Sequence, residues 1–275
     1  MNKSRPYRSF WGDPSEFVPA AHAAGIAVLH QVGSVEAAVR AKHAGVDVII
    51  AQGTEAGGHV AGEISTMVLL PRIVDAVAPT LVLAAGGIAD ARGLAAALCL
   101  GADGVVMGTR FIATLEANAH PVYKAQLVAA SEEDTVRTIL FGHGWPHAPH
   151  RTLRTRFVRE WVDRESETQD SRSDEPVIGH TVIGGAEVPI QRFASLPPNI
   201  HATGEIQLMS LLAGQSVGLV DEIPPTWLLT HSTAKEIRIK CGTTRWLVPT
   251  VVFRFRYMPR SRCRTRQSCL KAFPR

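Results

Sequence analysis

Three glycine-rich runs carry the residue types that could do chemistry. They are Gln52-Gly53-Thr54-Glu55-Ala56-Gly57-Gly58-His59, Gly86-Gly87-Ile88-Ala89-Asp90 and Gly108-Thr109-Arg110-Phe111. Each follows a short apolar stretch that reads as a strand. Glycine lets the main chain approach a ligand closely and adopt positive φ. The N–H groups of Gly87, Gly108 and Thr109 at such places suit phosphate oxygens, and a helix opening at Asp90 adds a favourable dipole. A single run of this kind is explained by a tight turn. Three at successive strand ends favour a phosphate or nucleotide ligand. His59 closes the first run, and an imidazole there suits a general base or an electrostatic clamp for an anion.

Other chemistry-bearing residues read more plainly. His120 precedes Pro121 and belongs to a helix start. His143, His147 and His150 stand among Gly144, Pro146 and Pro149, so the segment reads as an irregular loop. It brings no acidic or cysteine partner, and no metal is assigned to it. Cys99, Cys241, Cys263 and Cys269 form no C-x-x-C pair and no zinc spacing. Cys99 falls in an apolar helical run and is expected to be a small buried hydrophobe. No G-x-S-x-G elbow, P-loop lysine or H-E-x-x-H occurs.

The elements that must position these runs alternate. A strand ends around residues 9–12. Asp13 then caps a helix with Pro14 at its first position, running to about Ala24 and stopping at Gly25. Strands follow at 27–32, 46–51, 81–85 and 104–107. Ser34 caps a helix ending near Gly45, a second helix covers about 69–77, and Asp90 opens a third that ends at Gly101. Strands that are short, nearly all apolar and separated by helices are parallel and buried on both faces. Such βα units build a doubly wound sheet or a closed barrel. Five strands are legible where a barrel of eight is the full form, and such a barrel takes about 250 residues. A short helix is expected at 205–214 and a strand at 246–256.

Charge divides the chain. Net charge is +4, yet residues 231–275 hold twelve Lys or Arg against one acid, Glu236, which leaves 17 basic and 24 acidic residues in the other 230. The expected organisation is an α/β domain over 1–163, a charged linker and helical segment of the same domain over 164–225, and a basic tail over 226–275. The tail shows no nucleic-acid motif. No apolar run of 18 residues suggests a membrane span. No cleavable leader follows Met1, which points to the cytoplasm. Oligomeric state is not readable.

Taken together, the three runs resemble the nitronate monooxygenases, formerly called 2-nitropropane dioxygenases. Leu70-Pro71, His120-Pro121 and Ala213-Gly214-Gln215-Ser216 support the resemblance, which covers roughly residues 8 to 225. It implies a TIM-type (β/α) barrel with FMN at its mouth, here incomplete (about the last five strands) and followed by an irregular C-terminal extension. It also implies FMN contacts at Gln52, Gly57, Gly87, Val106, Met107, Gly108 and Thr109, with His59 as the active-site histidine. Similar proteins oxidise alkyl nitronates with dioxygen, and in some the histidine takes the α-proton of a neutral nitroalkane. The family's first strand, with its Pro-Met segment, and the asparagine of its third strand have no counterpart here. The chain starts at what would be the fourth strand, and its composition after Pro225 resembles out-of-frame translation. Two alternatives follow: an NAD(P)H-dependent quinone or enoyl reductase on the same fold, and an inactive remnant.

Overall fold

The computed structural model describes residues 6–168 and 174–230. The strand expected at 246–256 and most of the basic tail lie outside them.

The chain opens with β1 (Tyr7–Phe10), a 3-10 turn at Pro14–Glu16 and α1 (Val18–Ala23). Asp13 caps this turn by accepting from the Ser15 N–H at 2.9 Å. Then come β2 (Val28–Val32), α2 (Val35–His43), β3 (Val48–Gln52), the short β4 (Gly58–His59), α3 (Thr66–Val77), β5 (Leu81–Ala85), α4 (Ala91–Cys99), β6 (Gly104–Val106) and α5 (Thr109–Ile112). The strands β1, β2, β3, β5 and β6 form one all-parallel sheet in that order. The five strands expected from the sequence are therefore the five of this sheet.

Local chemistry explains these boundaries. Ser34 caps α2 through the Ala37 N–H at 3.1 Å, and Asp90 caps α4 through the N–H groups of Arg92 and Gly93. A repeated device sets the register. Asp47, just before β3, accepts from the first N–H of β2 (Val28, 2.7 Å). Asp103, just before β6, accepts from the N–H of Val82, the second residue of β5 (2.9 Å). Each aspartate thus fixes its own strand against the start of the neighbouring one.

Both faces of the sheet are apolar. Val28, Val32, Ile49, Ala51, Val82, Ala84 and Val105 pack under α2, α3 and α4. The opposite face carries Leu29, Ile50, Leu83 and Ala85, with Val48 and Val106 against them. Ile49 and Ile50 are both fully buried, one toward each face. Each such side chain contributes about 1.5–3 kcal/mol relative to exposure. This two-sided burial is what the uninterrupted apolar strands require.

The remaining elements are α6 (Pro121–Ala129), β7 (Thr135–Thr138), β8 (His150–Leu153), α7 (Arg156–Trp161), β9 (Val177–Ile183), β10 (Ala186–Gln191) and β11 (Thr203–Gly204). They build two antiparallel sheets, β4-β8-β7 and β10-β9-β11.

Several expectations need correcting here. No helix spans 205–214: a 3-10 turn at Ile206–Leu208 is followed by extended chain. There Leu211 O accepts from Leu153 N at 2.8 Å and from Thr152 Oγ1 at 2.8 Å, so pairing with β8 replaces helical hydrogen bonds. Cys99 is exposed, because the last turn of α4 presents it outward. His150 belongs to β8 rather than to the loop before it. The charged run starting at Arg164 begins as a packed 3-10 helix, Val162–Thr168, with Thr168 buried and donating to Leu140 O. His120 is as expected, since its Nδ1 caps α6 by accepting from Val122 N.

Candidate active site

The site gathers at the carboxyl ends of β3, β5 and β6, where the three glycine-rich runs meet. Glu55 ties the first run to the second. Its carboxylate accepts from the Thr66 N–H through both oxygens at 2.9 Å, which caps α3. Thr66 Oγ1 lies 3.0 Å from Glu55 Oε2 and 3.0 Å from Gly86 O. Arg151 reaches from β8 to grip the same run, donating to Thr54 O from Nε at 3.1 Å and Nη2 at 2.9 Å.

The late segment Ala213-Gly214-Gln215 joins the first run to the third. Gly214 N donates to Thr109 Oγ1 and Gln215 N to Glu55 O, each at 2.9 Å. Gly57 lies flat against this segment. A Cβ on Gly57 would stand 2.4 Å from Gly214 N, so only glycine permits the approach.

Gly87 and Gly108 behave differently. Both are exposed. Ala85 and Val106 are register partners on adjacent strands, and each glycine follows its strand by two residues. Gly87 has φ +71°, and a Cβ there would meet only the Glu55 side chain, at 3.6 Å or more. A Cβ on Gly108 would meet nothing within 4 Å. The N–H groups of Gly87, Gly108 and Thr109 make no hydrogen bond among the described residues. Open space beside unpaired N–H groups on neighbouring strand ends is the feature a phosphate requires.

The other residues singled out in the sequence are placed as follows. Met107 is buried in the core beneath the helices, so only its main chain faces the strand ends. Val106 stands half-buried on the opposite face. Gln52 is buried, and its Nε2 donates to the main-chain oxygen of His59 at 2.9 Å.

His59 itself is half-buried on β4, in register with His150 of β8. Its ring stacks against Trp145 (centroids 4.3 Å apart, planes at 30°). It also meets His150 at 5.6 Å and Trp11 edge-on at 5.9 Å. Burial among these rings holds the His59 pKa below the ordinary imidazole value. Its Nε2 is buried and has no hydrogen-bond partner among the described residues. His150 is fixed as a neutral ring: Nδ1 lies 2.9 Å from the carbonyl of Ala148 and so carries the proton, while Nε2 accepts from Phe141 N at 3.3 Å. Burial pushes its pKa down to about 4.

Trp11, Trp145, Arg151 and Thr66 were not singled out from the sequence, and His150 was read only as part of an irregular loop. Trp11 had a usable signal, an aromatic directly at the carboxyl end of the first strand. The others come from segments that only tertiary pairing brings close. Among the described residues no group of three or more His, Cys, Asp or Glu is placed to hold a metal, and no helix is long and apolar enough to cross a membrane.

A sequence profile of the nitronate monooxygenase family matches residues 9–235. A Mycobacterium tuberculosis protein named "Putative monooxygenase Rv1533" is 40% identical over 213 residues, covering 76% of this chain and 52% of that protein. The structure of FabK from Thermotoga maritima is 33% identical with a TM-score of 0.67, covering 85% of this chain and 68% of that one. Nitroalkane oxidase from Streptomyces ansochromogenes is 27% identical with a TM-score of 0.66, covering 88% and 67%. The chain thus spans about half the length of the mycobacterial relative and about two thirds of each of these two structures. The profile match over most of the chain, with these relatives, shows that the chain belongs to the nitronate monooxygenase family.

Proposed function

We propose that this chain binds FMN at the ends of β5 and β6 and oxidises alkyl nitronates, with dioxygen as the second substrate. The five parallel strands are then an arc of a (β/α) barrel, and the site lies at its carboxyl face, where such barrels bind ligands. One observation carries the reading: His59 Nε2, buried and unpartnered among the described residues, ends the run whose Glu55 lies beside exposed Gly87, and Gly87 and Gly108 present unpaired N–H groups on neighbouring strand ends.

Gly87, Gly108 and Thr109 would hold the phosphate through their N–H groups. The main chain of Val106 and Met107 and the loop bearing Gln52 and Gly57 complete the cofactor's surroundings. FMN supplies the electron acceptor that the protein's side chains lack. The chain's own residues position and move a proton. His59 is kept neutral by burial, so at neutral pH its Nε2 has a lone pair free to take the α-proton of a nitroalkane. Gln52 anchors the His59 main chain, and the rings of Trp145 against its face and His150 edge-on to it limit its rotation.

The test is direct. The full chain is mixed with FMN, desalted and scanned for absorbance, then assayed for oxygen uptake with ethylnitronate. Retention near one equivalent with nitronate-dependent uptake supports the proposal. A colourless protein refutes it, and anaerobic bleaching by NADH without nitronate turnover favours the reductase alternative.

A further inference from the structure

Trp11 directly follows β1 in an unusual conformation. Its φ is +61°, in the left-handed region that a bulky residue rarely occupies, and Gly12 follows at +73°. The turn brings the indole into a cluster. Trp11 meets Trp145 at 5.0 Å and His59 at 5.9 Å, the latter with planes at 88°. Trp145 completes the triangle by stacking on His59, and Phe10 lies 5.5 Å from Trp145.

Two ring nitrogens of the cluster are buried and left unsatisfied. Trp11 Nε1 and His59 Nε2 are both buried, and neither has a hydrogen-bond partner among the described residues. An indole nitrogen can only donate, so the Trp11 N–H requires an acceptor. Buried donors are nearly always paired, so an orphan calls for a cause: local strain, a water or a bound ligand. The His59 ring, proposed above as the base, meets this indole edge-on and carries the other unpaired atom.

We propose that Trp11 is a substrate-contacting residue whose indole N–H donates to an oxygen of the nitro or nitronate group held at His59. This rests on the proton-transfer reading of that site. When the α C–H bond of a nitroalkane breaks, its proton passes to His59 Nε2 and the electron pair spreads onto the nitro group. Negative charge then accumulates on the two oxygens. A fixed N–H aimed at one of them stabilises that charge without reorganisation, as an oxyanion donor does. Trp145 is a positioning residue that holds the imidazole by stacking. The ligand class is therefore a planar, oxygen-bearing group of the XO2 type on a small apolar stem.

Propionate is the probe, because its carboxylate matches ethylnitronate in charge and planarity and does not react. The FMN-mixed full chain, 15N-labelled, is titrated with propionate while the five indole N–H signals are followed. The signal lost in Trp11→Phe identifies Trp11. The expected result is a downfield shift of that signal on saturation and a propionate Kd raised roughly tenfold or more in Trp11→Phe. Trp227→Phe, at an exposed site, should bind as wild type. An unmoved Trp11 signal, an unchanged Kd or no propionate binding overturns the proposal. The shift is read on the wild-type chain, so a poorly folded variant does not obscure it. If FMN is not retained yet the Trp11 signal shifts, this proposal stands and the flavin reading falls. If FMN is retained and nitronate is consumed with the signal unmoved, this proposal alone falls.

Discussion

Gln52 Nε2 donates to the main-chain oxygen of His59 at 2.9 Å, so the last residue of β3 sets the position of the proposed base seven residues later. Gln52→Leu removes the donor and leaves that carbonyl without its partner. We expect a loss of about 1–3 kcal/mol in urea denaturation. Turnover of nitroethane should fall as well, because His59 is no longer anchored. Unchanged stability would show that the bond carries no weight.

Two glycines of the site should respond in opposite ways to alanine. At Gly57 a Cβ would collide with main chain at 2.4 Å, so Gly57→Ala must push the 213–215 segment away from Glu55 and Thr109. It should destabilise the chain by about 1–3 kcal/mol or more. At Gly108 there is open space, and its φ of −98° suits any residue. Gly108→Ala should therefore leave apo stability within about 0.5 kcal/mol. It should still weaken FMN, because the methyl group enters the space assigned to phosphate. Equilibrium dialysis with FMN beside urea melts separates the two cases. Unaltered FMN affinity in a folded Gly108→Ala variant would remove Gly108 from the site.

His150 gives a pH dependence of stability. Its pKa is about 4 folded against an ordinary 6.5 unfolded. Between these values the unfolded chain binds the extra proton, so stability is full above pH 6.5 and declines as pH falls toward 4. The loss from this group amounts to roughly 3 kcal/mol. His150→Gln should flatten the stability curve across that window, measured by urea midpoints at pH 7 and pH 5. An equally steep curve in the variant would contradict the assignment.

The parallel sheet was legible because each strand is a compact apolar run between capped helices, as with Ser34 before α2 and Asp90 before α4. The antiparallel additions were not. β7 (Thr135–Thr138) and β8 (His150–Leu153) contain Arg137, Arg151 and several threonines, so no apolar alternation marks them. The hairpin turn Gly184-Gly185, both at positive φ, did carry a readable signal between β9 and β10. The stretch 209–213 carries helix-forming residues yet pairs with β8, a tertiary preference that local propensity cannot reveal. In the site, the glycine runs were visible as composition. The Trp11–Trp145–His59 cluster was not, since its members lie 48 and 86 residues apart in the chain and meet only after folding.

The account stands most directly on His59→Gln, which keeps a polar side chain of similar reach and removes the base. Flavin retention should equal wild type. Oxidation of neutral nitroethane should fall about 10²–10⁴-fold, while preformed ethylnitronate, which has already lost its proton, should lose far less. A His59→Gln protein that oxidises nitroethane at the wild-type rate would contradict the role given to His59.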